Sequence, residues 1–390
     1  MGERQDQQAN GRSDADHAAD HATATTYRDA GVDRDAAGQA IGRIAELARA
    51  TFAGGEQGTA ALPVGHFGGA FRLPAGGDRI LIASADGVGT KLKLAFLIGG
   101  AAHGRVGGDL VNHCLNDILA LAARPLFFLD YVAMGKLETA TLEALVGGMA
   151  TACQRNGLAL LGGESAEMPG FYADGEYDAA GFIVGEVAPD AIVDGSAISA
   201  GNVLFGLPST GLHTNGYSLA RRIVGLTGDL AADRARLARP LPGGGGESIG
   251  EALLQPHRCY RRDLQPLLER RIVTGMAHIT GGGLIENLPR MLPVGTAIEL
   301  DPTTWQVPPI FTYLVEQAQV PPAERYRAFN MGIGFVLSVQ SDDAEEAARL
   351  LAGSGAVPIG RVVARDDPAA QAVRGLLLRA AAAPVEERGD

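Results

Sequence analysis

The sequence predicts a mixed α/β protein with two domains. The chain has 390 residues, which is more than one hydrophobic core usually serves. Short apolar segments alternate with segments of helical periodicity along most of its length. Apolar residues make up 46% of the chain and charged residues 20%, so a large core can form. The 54 glycines follow no collagen period, and we therefore expect them in loops between these elements.

The first domain is predicted to span residues 27–190. It follows a polar tail, residues 1–26, which we expect to be disordered because it lacks hydrophobic periodicity. The expected elements are a helix at 36–50, a strand at 80–85, helices at 92–98 and 109–122, a strand at 125–132, a helix at 137–156, and strands at 158–161 and 179–187.

The second domain is predicted to span residues 196–370, with a C-terminal tail at 371–390. A segment rich in proline and glycine, residues 240–250, interrupts its regular pattern. The expected elements are a strand at 203–207, helices at 218–224 and 251–271, a strand at 276–279, a helix at 284–291, a strand at 333–339 and a helix at 343–352.

Charge and cysteine content exclude several classes of protein. The net charge is −12, and a nucleic-acid-binding surface needs clustered positive charge, so no nucleic-acid partner is expected. Cys114, Cys153 and Cys259 are far apart in the sequence, which is typical of a reducing compartment and not of a disulfide framework. No apolar run approaches membrane-spanning length, so we expect a cytoplasmic protein without a membrane partner.

The turn from Asp86 to Lys91 is a candidate phosphate-binding site. It reads Asp-Gly-Val-Gly-Thr-Lys between a strand and a helix, and small residues there let backbone N–H groups approach an anion. It is not a Walker A loop. The chain has three lysines against thirty arginines, and two of the three, Lys91 and Lys93, flank this turn. A compact ammonium suits a phosphate oxygen, although an ordinary surface lysine is the alternative at each position.

A narrow polar stripe follows one side of the predicted helix 109–122. Asp109, Asn112, Asn116 and Asp117 lie along it, and apolar residues cover most of the remaining circumference. Carboxylate and amide oxygens one turn apart suit Mg²⁺, which takes few protein ligands and is also coordinated by ATP phosphates. A solvated helix face is the alternative interpretation.

Three further loops carry polar residues beside glycines. Gly162 to Gly170 contains Glu164 and Glu167, which could hold a metal or water, or could lie on an exposed turn. The segments 209–216 and 280–283 each follow a predicted strand and precede a helix, where phosphate binding is common. Each loop alone is a weak signal. Together they favour a nucleotide and a phosphorylated substrate over a single ligand.

The residues of these loops resemble one enzyme family over roughly residues 27–363. The segments that carry the resemblance are 27–33, Asp86 to Leu92, Asn116-Asp117, Pro125 to Tyr131, Gly162 to Gly170, Gly211 to Leu219, and His278 to Gly283. The residues of these segments and their order along the chain resemble those of the phosphoribosylformylglycinamidine cyclo-ligases, also called aminoimidazole ribonucleotide synthetases.

The resemblance implies a fold, an activity and a set of site residues. It implies a two-domain PurM-like fold, in which the N-terminal domain pairs with its twin as a dimeric β-barrel flanked by helices. It implies a homodimer that uses ATP and Mg²⁺ to close the imidazole ring of a small ribonucleotide in purine biosynthesis. Catalytic roles fall to Lys91 and His213, and Mg²⁺ to Asp86 and Asp117. The implied ATP contacts are Asp86, Gly87, Gly89, Thr90, Lys91, Asn116, Asp117 and Glu164, and the implied substrate contacts are Ser209, Thr210, Gly211, His213, Asn215, Thr280, Gly281 and Gly282.

Two departures and two rival functions accompany this resemblance. Pro256-His257-Arg258 stands where the family usually has Pro-Thr-Arg, and Ser165 stands where threonine is common. Related enzymes with an Asp-rich ATP site, such as thiamine monophosphate kinase or selenophosphate synthetase, are one alternative. A nucleotide-binding sensor without turnover is the other. Lys91, Asp86 and Asp117 together favour the enzyme over the sensor.

Overall fold

A computed structural model describes residues 26–32, 47, 59–62, 66–73, 78–364 and 376–378. Within them the strands form two separate six-stranded sheets, one from residues 59–187 and one from residues 203–378. The predicted tail 1–26 and the predicted helix 36–50 lie almost entirely outside the described residues. The predicted C-terminal tail also lies outside them, except for residues 376–378, which form a strand.

The first sheet has the strand order β1-β2-β3-β6-β4-β5. Its pairs are antiparallel except β4 with β5, which are parallel. Two long helices cover one face, and the first of them contacts β3, β4 and β6. The elements are β1 (Thr59–Ala60), β2 (Gly69–Arg72), β3 (Ile80–Gly87), α1 (Leu92–Ile98), α2 (Ala101–Leu119), β4 (Arg124–Met134), α3 (Thr139–Asn156), β5 (Ala159–Glu167) and β6 (Tyr177–Val187).

The second sheet has the strand order β12-β9-β11-β7-β10-β8. Every residue of its strands β8 and β10 is buried. The elements are β7 (Val203–Pro208), α4 (Tyr217–Val224), α5 (Leu230–Leu237), α6 (Ile249–Leu253), α7 (Arg261–Arg270), β8 (Val273–His278), α8 (Gly283–Asn287), β9 (Thr296–Leu300), α9 (Pro309–Gln317), α10 (Pro322–Ala328), β10 (Ile333–Val339), α11 (Ala344–Leu350), β11 (Val357–Ala364) and β12 (Leu376–Leu378).

Several predicted elements are confirmed with nearly their predicted bounds. The helix predicted at 92–98 is α1, and the strand predicted at 333–339 is β10. The predicted strand at 80–85 is the body of β3, which runs on through Asp86 to Gly87. The prediction missed β1, β2, β9, β11, β12, α5, α9 and α10.

The helix predicted at 109–122 begins earlier, at Ala101, and ends at Leu119. Its first half contains Gly104 and Gly107, which are poor helix formers and hid the element from sequence reasoning. These glycines allow α2 and α3 to pack closely. A Cβ on Gly107 would lie 2.0 Å from the carbonyl oxygen of Leu145, and one on Gly148 would lie 1.9 Å from that of Gly104.

Two other predictions about loops and helices are wrong. Gly162, Gly163 and Glu164 do not form a glycine loop, because β5 continues through them in parallel register with β4. The helix predicted around 251–271 is two helices, α6 and α7, separated by residues 254–260. We call this segment the 254–260 loop. It runs along α2 and brings His257 into the protein interior.

Candidate active site

Asp86 lies at the end of β3 on the side of the sheet that faces α2. Every second residue of a strand points to the same side of the sheet, so Ile82, Ser84 and Asp86 share the side that faces α2. Beyond the strand a short 3₁₀ turn, Gly89–Lys91, leads into α1. The N–H of Gly87 donates to Oδ1 of Asp86 at 2.7 Å. The carboxylate is therefore held at the start of the turn, and about half of its surface is open to solvent.

One residue of α2, His113, contacts this carboxylate, and a second, Asp117, lies close to it. His113 Nε2 donates to Asp86 Oδ2 at 2.7 Å and lies 3.9 Å from Asp117 Oδ2. Ser84 Oγ, also from β3, donates to Asp117 Oδ2 at 3.1 Å. Burial alone would lower the pKa of His113, but Asp86 and Asp117 raise it to about 9. His113 is therefore an imidazolium at neutral pH, placed between two carboxylates.

The second sheet brings its polar loops to a common edge. Strands β7 and β8 both run antiparallel to β10, so they are parallel to each other and end on the same side. The loops 209–216 and 279–283 leave from that edge. Ser209 Oγ donates to Asn330 Oδ1 at 3.0 Å, and Thr280 Oγ1 donates to Asn287 Oδ1 at 3.2 Å. This edge carries all the residues predicted to contact substrate, namely Ser209, Thr210, Gly211, His213, Asn215, Thr280, Gly281 and Gly282.

A continuous series of hydrogen bonds connects this edge with the first domain. His113 Nδ1 donates to Thr214 Oγ1 at 2.5 Å, and the hydroxyl of Thr214 is 3.4 Å from His257 Nδ1. His257 Nε2 lies 3.1 Å from His278 Nε2. His278 Nδ1 then donates to Asp117 Oδ1 at 2.8 Å. Since His113 carries both ring protons, every donor in this series has an acceptor.

We call His113, His213, His257 and His278 the histidine cluster. All four are buried. Burial lowers the pKa of His278, and Asp117 only partly opposes this effect. Burial also lowers the pKa of His257 well below its usual value, and the neighbouring imidazoles lower it further. These two rings are therefore neutral at physiological pH, whereas His113 is charged.

The surroundings of His213 differ from those expected for the catalytic role implied by the resemblance. Its backbone has φ +62°, a left-handed conformation, and its ring stacks on that of His257 with 4.1 Å between centroids. Its Nε2 accepts from the N–H of Thr210 at 3.4 Å. Burial lowers the pKa of His213 well below its usual value. The neutral ring thus stabilises the turn that carries Thr210.

Lys91 is fully buried, and the prediction that it contacts phosphate does not match its surroundings. Its ammonium lies 2.6 Å from Asp109 Oδ2 and donates to the carbonyl oxygens of His213 at 2.9 Å and Gln255 at 2.8 Å. Burial lowers the pKa of this ammonium, and the Asp109 carboxylate opposes that effect. All three donors of Lys91 are therefore used within the protein.

The predicted polar stripe of α2 divides into two parts with different partners. Asp109 Oδ1 accepts from the N–H of His257 at 2.6 Å, and Asn112 Nδ2 donates to the carbonyl of the same residue at 2.8 Å. Asn116 Nδ2 donates to the carbonyl of Arg258 at 2.8 Å and its Oδ1 accepts from the N–H of Tyr260 at 3.1 Å. These three side chains hold the 254–260 loop, and both polar atoms of the Asn116 amide are bonded to it. Only Asp117 faces Asp86.

Two remaining residues predicted to contact ATP lie in separate places. Thr90 is exposed at the turn, and its hydroxyl is 3.1 Å from that of Ser218 at the start of α4. Glu164 is on the edge strand β5, in register with Tyr131, Ala180 and then Gly87 on successive strands. At about 4.8 Å per strand, it lies roughly 14 Å from the turn. The structure does not bring Glu164 together with Asp86.

Sequence reasoning missed the role of His257 and His278. His278 is the last residue of a buried strand, directly before a glycine turn, and this position was a usable signal. The place of His257 is hidden, because the pattern of residues 251–271 predicts one continuous helix where the structure has a loop. Its place depends on contacts with α2, which are distant in sequence.

Comparison with known proteins identifies the family. The family model described as AIR synthase related protein, N-terminal domain, matches residues 65–187, and the corresponding C-terminal domain model matches residues 199–373. The chain belongs to the AIR synthase family. A phosphoribosylformylglycinamidine cyclo-ligase of Trichlorobacter lovleyi is 48% identical over 334 residues, 85% of this chain and 92% of that protein. One of Burkholderia mallei is 46% identical over 352 residues, 89% and 96% of the two chains. The family and the enzyme class predicted from the motifs are confirmed.

Solved structures with the same fold are more distant in sequence. A Thermus thermophilus protein matches with TM-score 0.55 and 21% identity over 84% of this chain and 93% of its own. A hydrogenase maturation protein HypE in complex with ATP matches with TM-score 0.53 and 22% identity over 78% and 82% of the chains. Thiamine-monophosphate kinase from Stenotrophomonas maltophilia K279a matches with TM-score 0.52 and 17% identity over 87% and 96%. Among the described residues, every helix is too short or too polar to cross a lipid bilayer.

Proposed function

We propose that this protein converts formylglycinamidine ribonucleotide into aminoimidazole ribonucleotide, with ATP as the phosphoryl donor and ADP and phosphate as the other products. The relatives named as cyclo-ligases support the activity, and the HypE complex supports ATP as a ligand of the fold. The observation that carries the proposal is the 2.8 Å contact between His278 and Asp117. It joins the strand edge that carries the second domain's loops to the carboxylates of the first domain.

Ring closure requires activation of a weak electrophile. The formamide carbonyl of the substrate has an oxygen that cannot depart as hydroxide. Transfer of the γ-phosphoryl group of ATP to that oxygen yields ADP and turns the oxygen into part of a phosphate. The amidine nitrogen then attacks the same carbon, the C–O bond breaks, and phosphate leaves. Positioning and charge neutralisation supply most of the catalysis in such transfers.

The side chains of Asp86 and Asp117 fit a magnesium ion. An oxygen of each lies within 4.8 Å of the other, and carboxylate oxygens are ligands that Mg²⁺ prefers. Mg²⁺ would supply positive charge to offset that of the ATP phosphates. His113, as an imidazolium, holds the Asp86 carboxylate in place and partly offsets its charge. Asp86 is half exposed and so accessible to a nucleotide, whereas Asp117 is nearly buried.

The second domain would bind the ribonucleotide through the edge that carries loops 209–216 and 279–283. Backbone N–H groups and hydroxyls there suit a phosphate. We assign Lys91, His213 and Asn116 to positioning these loops, in place of the direct contacts that the sequence suggested. The domain limits of 27–190 and 196–370 belong to this proposal, and the separation of the two sheets supports them.

We also propose a homodimer formed through the first sheet. Helices cover one face of that sheet, and its other face carries exposed apolar side chains. Leu129 and Phe182 are directly opposite each other on β4 and β6, and both are more than a third exposed. A second copy of the chain would cover this surface and continue the sheet toward a barrel. All three cysteines are free, in keeping with the cytoplasmic location that we propose.

Turnover with formylglycinamidine ribonucleotide tests the proposed reaction. ADP release, followed in a coupled assay, should require both ATP and this ribonucleotide. Asp86→Asn should abolish it, while Asp78→Asn, the same change at an exposed position just before the same strand, should leave it unchanged. Phosphorylation of thiamine monophosphate, or tight ATP binding without ADP release, would overturn the proposal in favour of a kinase or a sensor.

A further inference from the structure

A cleft between α2, α3 and the 254–260 loop lies apart from the two carboxylates of the candidate active site. Its volume is about 650 Å³, which is within the range of roughly 300–1,000 Å³ that small-molecule sites occupy. Part of its lining is glycine from the two helices, namely Gly104, Gly108, Gly147 and Gly148. Neither Asp86 nor Asp117 lines it, so the proposed ATP and magnesium site does not account for it.

Three arginines line this cleft and give it a positive charge. They are Arg105 of α2, Arg155 in the last turn of α3 and Arg262 in the first turn of α7. All three are exposed, and none forms an ion pair within the part of the chain that the structure describes. Of the described residues that line the cleft, only Asp109 has a carboxylate, and it is paired with Lys91 at 2.6 Å. We call this feature the arginine cleft, and its charge contrasts with the net charge of −12 of the chain.

Arg155 and Arg262 lie close together, whereas Arg105 lies farther along the cleft. Arg262 Nη2 donates to the carbonyl oxygen of Arg155 at 3.5 Å. Asn156, the next residue after Arg155, donates through Nδ2 to Asn112 Oδ1 at 3.3 Å. Arg105 precedes Asn112 on α2 by two helical turns, which is roughly 10 Å along the helix axis. Two centres of positive charge therefore flank the cleft.

We propose that the arginine cleft binds a small molecule with two or more anionic groups. The planar guanidinium matches both phosphate and carboxylate groups in geometry and charge. Two separated cationic centres favour a ligand with separated charges over a single ion. Arg258 also lines the cleft, but Asp263 already accepts from its guanidinium at 2.9 Å, so the binding falls to the other three arginines.

The test is equilibrium dialysis of the full chain at physiological salt, with a chelator present to remove Mg²⁺. The probes are ³²P-labelled tripolyphosphate and ¹⁴C-labelled citrate, and we expect saturable binding of one molecule of at least one probe per chain. Binding of tripolyphosphate alone identifies a phosphate ligand, and binding of citrate alone identifies a carboxylate ligand. Arg105→Gln and Arg155→Gln should each weaken binding about 10-fold, because each removes a charge-assisted hydrogen bond. Arg349→Gln, at an exposed position of α11 outside the cleft, should bind as the wild type does.

Gly147 provides a second test that leaves every arginine in place. A Cβ on this residue would have no other atom within 4 Å, so a longer side chain fits there without disturbing the packing of α2 and α3. Gly147→Glu adds a negative charge to the lining and should abolish saturable binding of the probe. Circular dichroism should show the same helix content as in the wild type.

Two results would overturn the arginine cleft as a binding site. The first is the absence of saturable binding of both probes. The second is binding that Arg105→Gln, Arg155→Gln and Gly147→Glu all leave unchanged, which would place the anion elsewhere on the protein. The proposal is independent of ring closure, because dialysis without Mg²⁺ or ribonucleotide measures anion binding alone and ADP release measures the reaction.

Discussion

The two sheets of this protein are covered to different extents. In the second sheet, β8 and β10 are buried along their whole length. In the first, α2 and α3 cover one face, and seven of the nine residues of β5 are exposed. Strands β8 and β10 of the second sheet thus have both faces packed within one chain, whereas the first sheet exposes apolar side chains such as Leu129 and Phe182. The difference identifies the exposed face of the first sheet as the surface through which the proposed homodimer would form.

The largest difference between the sheets should appear when one charge is placed on each. Phe335 of β10 is fully buried, so Phe335→Asp should lower the free energy of unfolding by more than about 4 kcal/mol or abolish folding. Phe182→Asp, on the exposed face of β6, should keep the fold but halve the mass in solution. Urea unfolding and light scattering measure the two effects. A dimer retained by Phe182→Asp would contradict the association surface.

The site where the two domains meet should respond almost as strongly. Asp117→Asn keeps the size of the side chain but removes one of two converging carboxylates, and we expect turnover to fall by about 1000-fold. The steady-state rate of ADP release measures this loss. Asp342→Asn, an exposed position next to β10, serves as the matched control. Equal rates for the two variants would exclude a role for Asp117 in the reaction.

The ion pair of His113 and Asp86 should make stability depend on pH. The pKa of His113 rises from 6.5 in the unfolded chain to about 9 in the folded protein, so protonation stabilises the fold. The contribution, about 3 kcal/mol, is fully present below pH 6.5 and is lost as the pH rises through 9. Urea unfolding between pH 6 and 10 measures it, and His113→Gln should flatten the profile. An unchanged slope in His113→Gln would assign the pH dependence to other groups.

The smallest expected effects compare a glycine from each domain. Gly283 has φ +57°, and a Cβ there would lie 2.1 Å from the carbonyl oxygen of Tyr326. Gly283→Ala should therefore cost about 3 kcal/mol, from the strained backbone and the displaced carbonyl. Gly175, before β6, has φ +78° with open space around it, so Gly175→Ala should cost only about 1 kcal/mol. Thermal unfolding ranks the two variants, and the reverse order would show that the loop at Gly283 relaxes freely.

The sequence predicts those elements whose structure depends mainly on residues close by in the chain. The strand at 80–85, the turn at Asp86 and the helix at 92–98 follow one another in the sequence, and each has a clear periodicity. The glycines of α2 and β5 suggest loops, although they lie inside a helix and a strand. Contacts with distant segments decide their structure. Gly107 lies against the carbonyl of Leu145 and Gly163 against the side chain of Asp130, and these contacts join segments far apart in sequence.

The same contrast between local pattern and distant contacts applies to the candidate active site. Asp86 and Asp117 could be named from the sequence because a turn and a helix stripe each indicate their chemistry. The burial of Lys91 could not, since two of its three partners are carbonyl oxygens of a different domain. The position of His257 could not be predicted either, because it depends on hydrogen bonds between its backbone and the side chains of Asp109 and Asn112.

The ammonium of Lys91 has a consequence for any attempt to divide the molecule. Its negative partner, Asp109, belongs to the first half of the chain, and both of its carbonyl acceptors belong to the second. Expressed as two separate polypeptides, the halves would leave a cation without two acceptors on one side and two unpaired carbonyl groups on the other. We expect such fragments to be insoluble singly and to regain structure only when mixed.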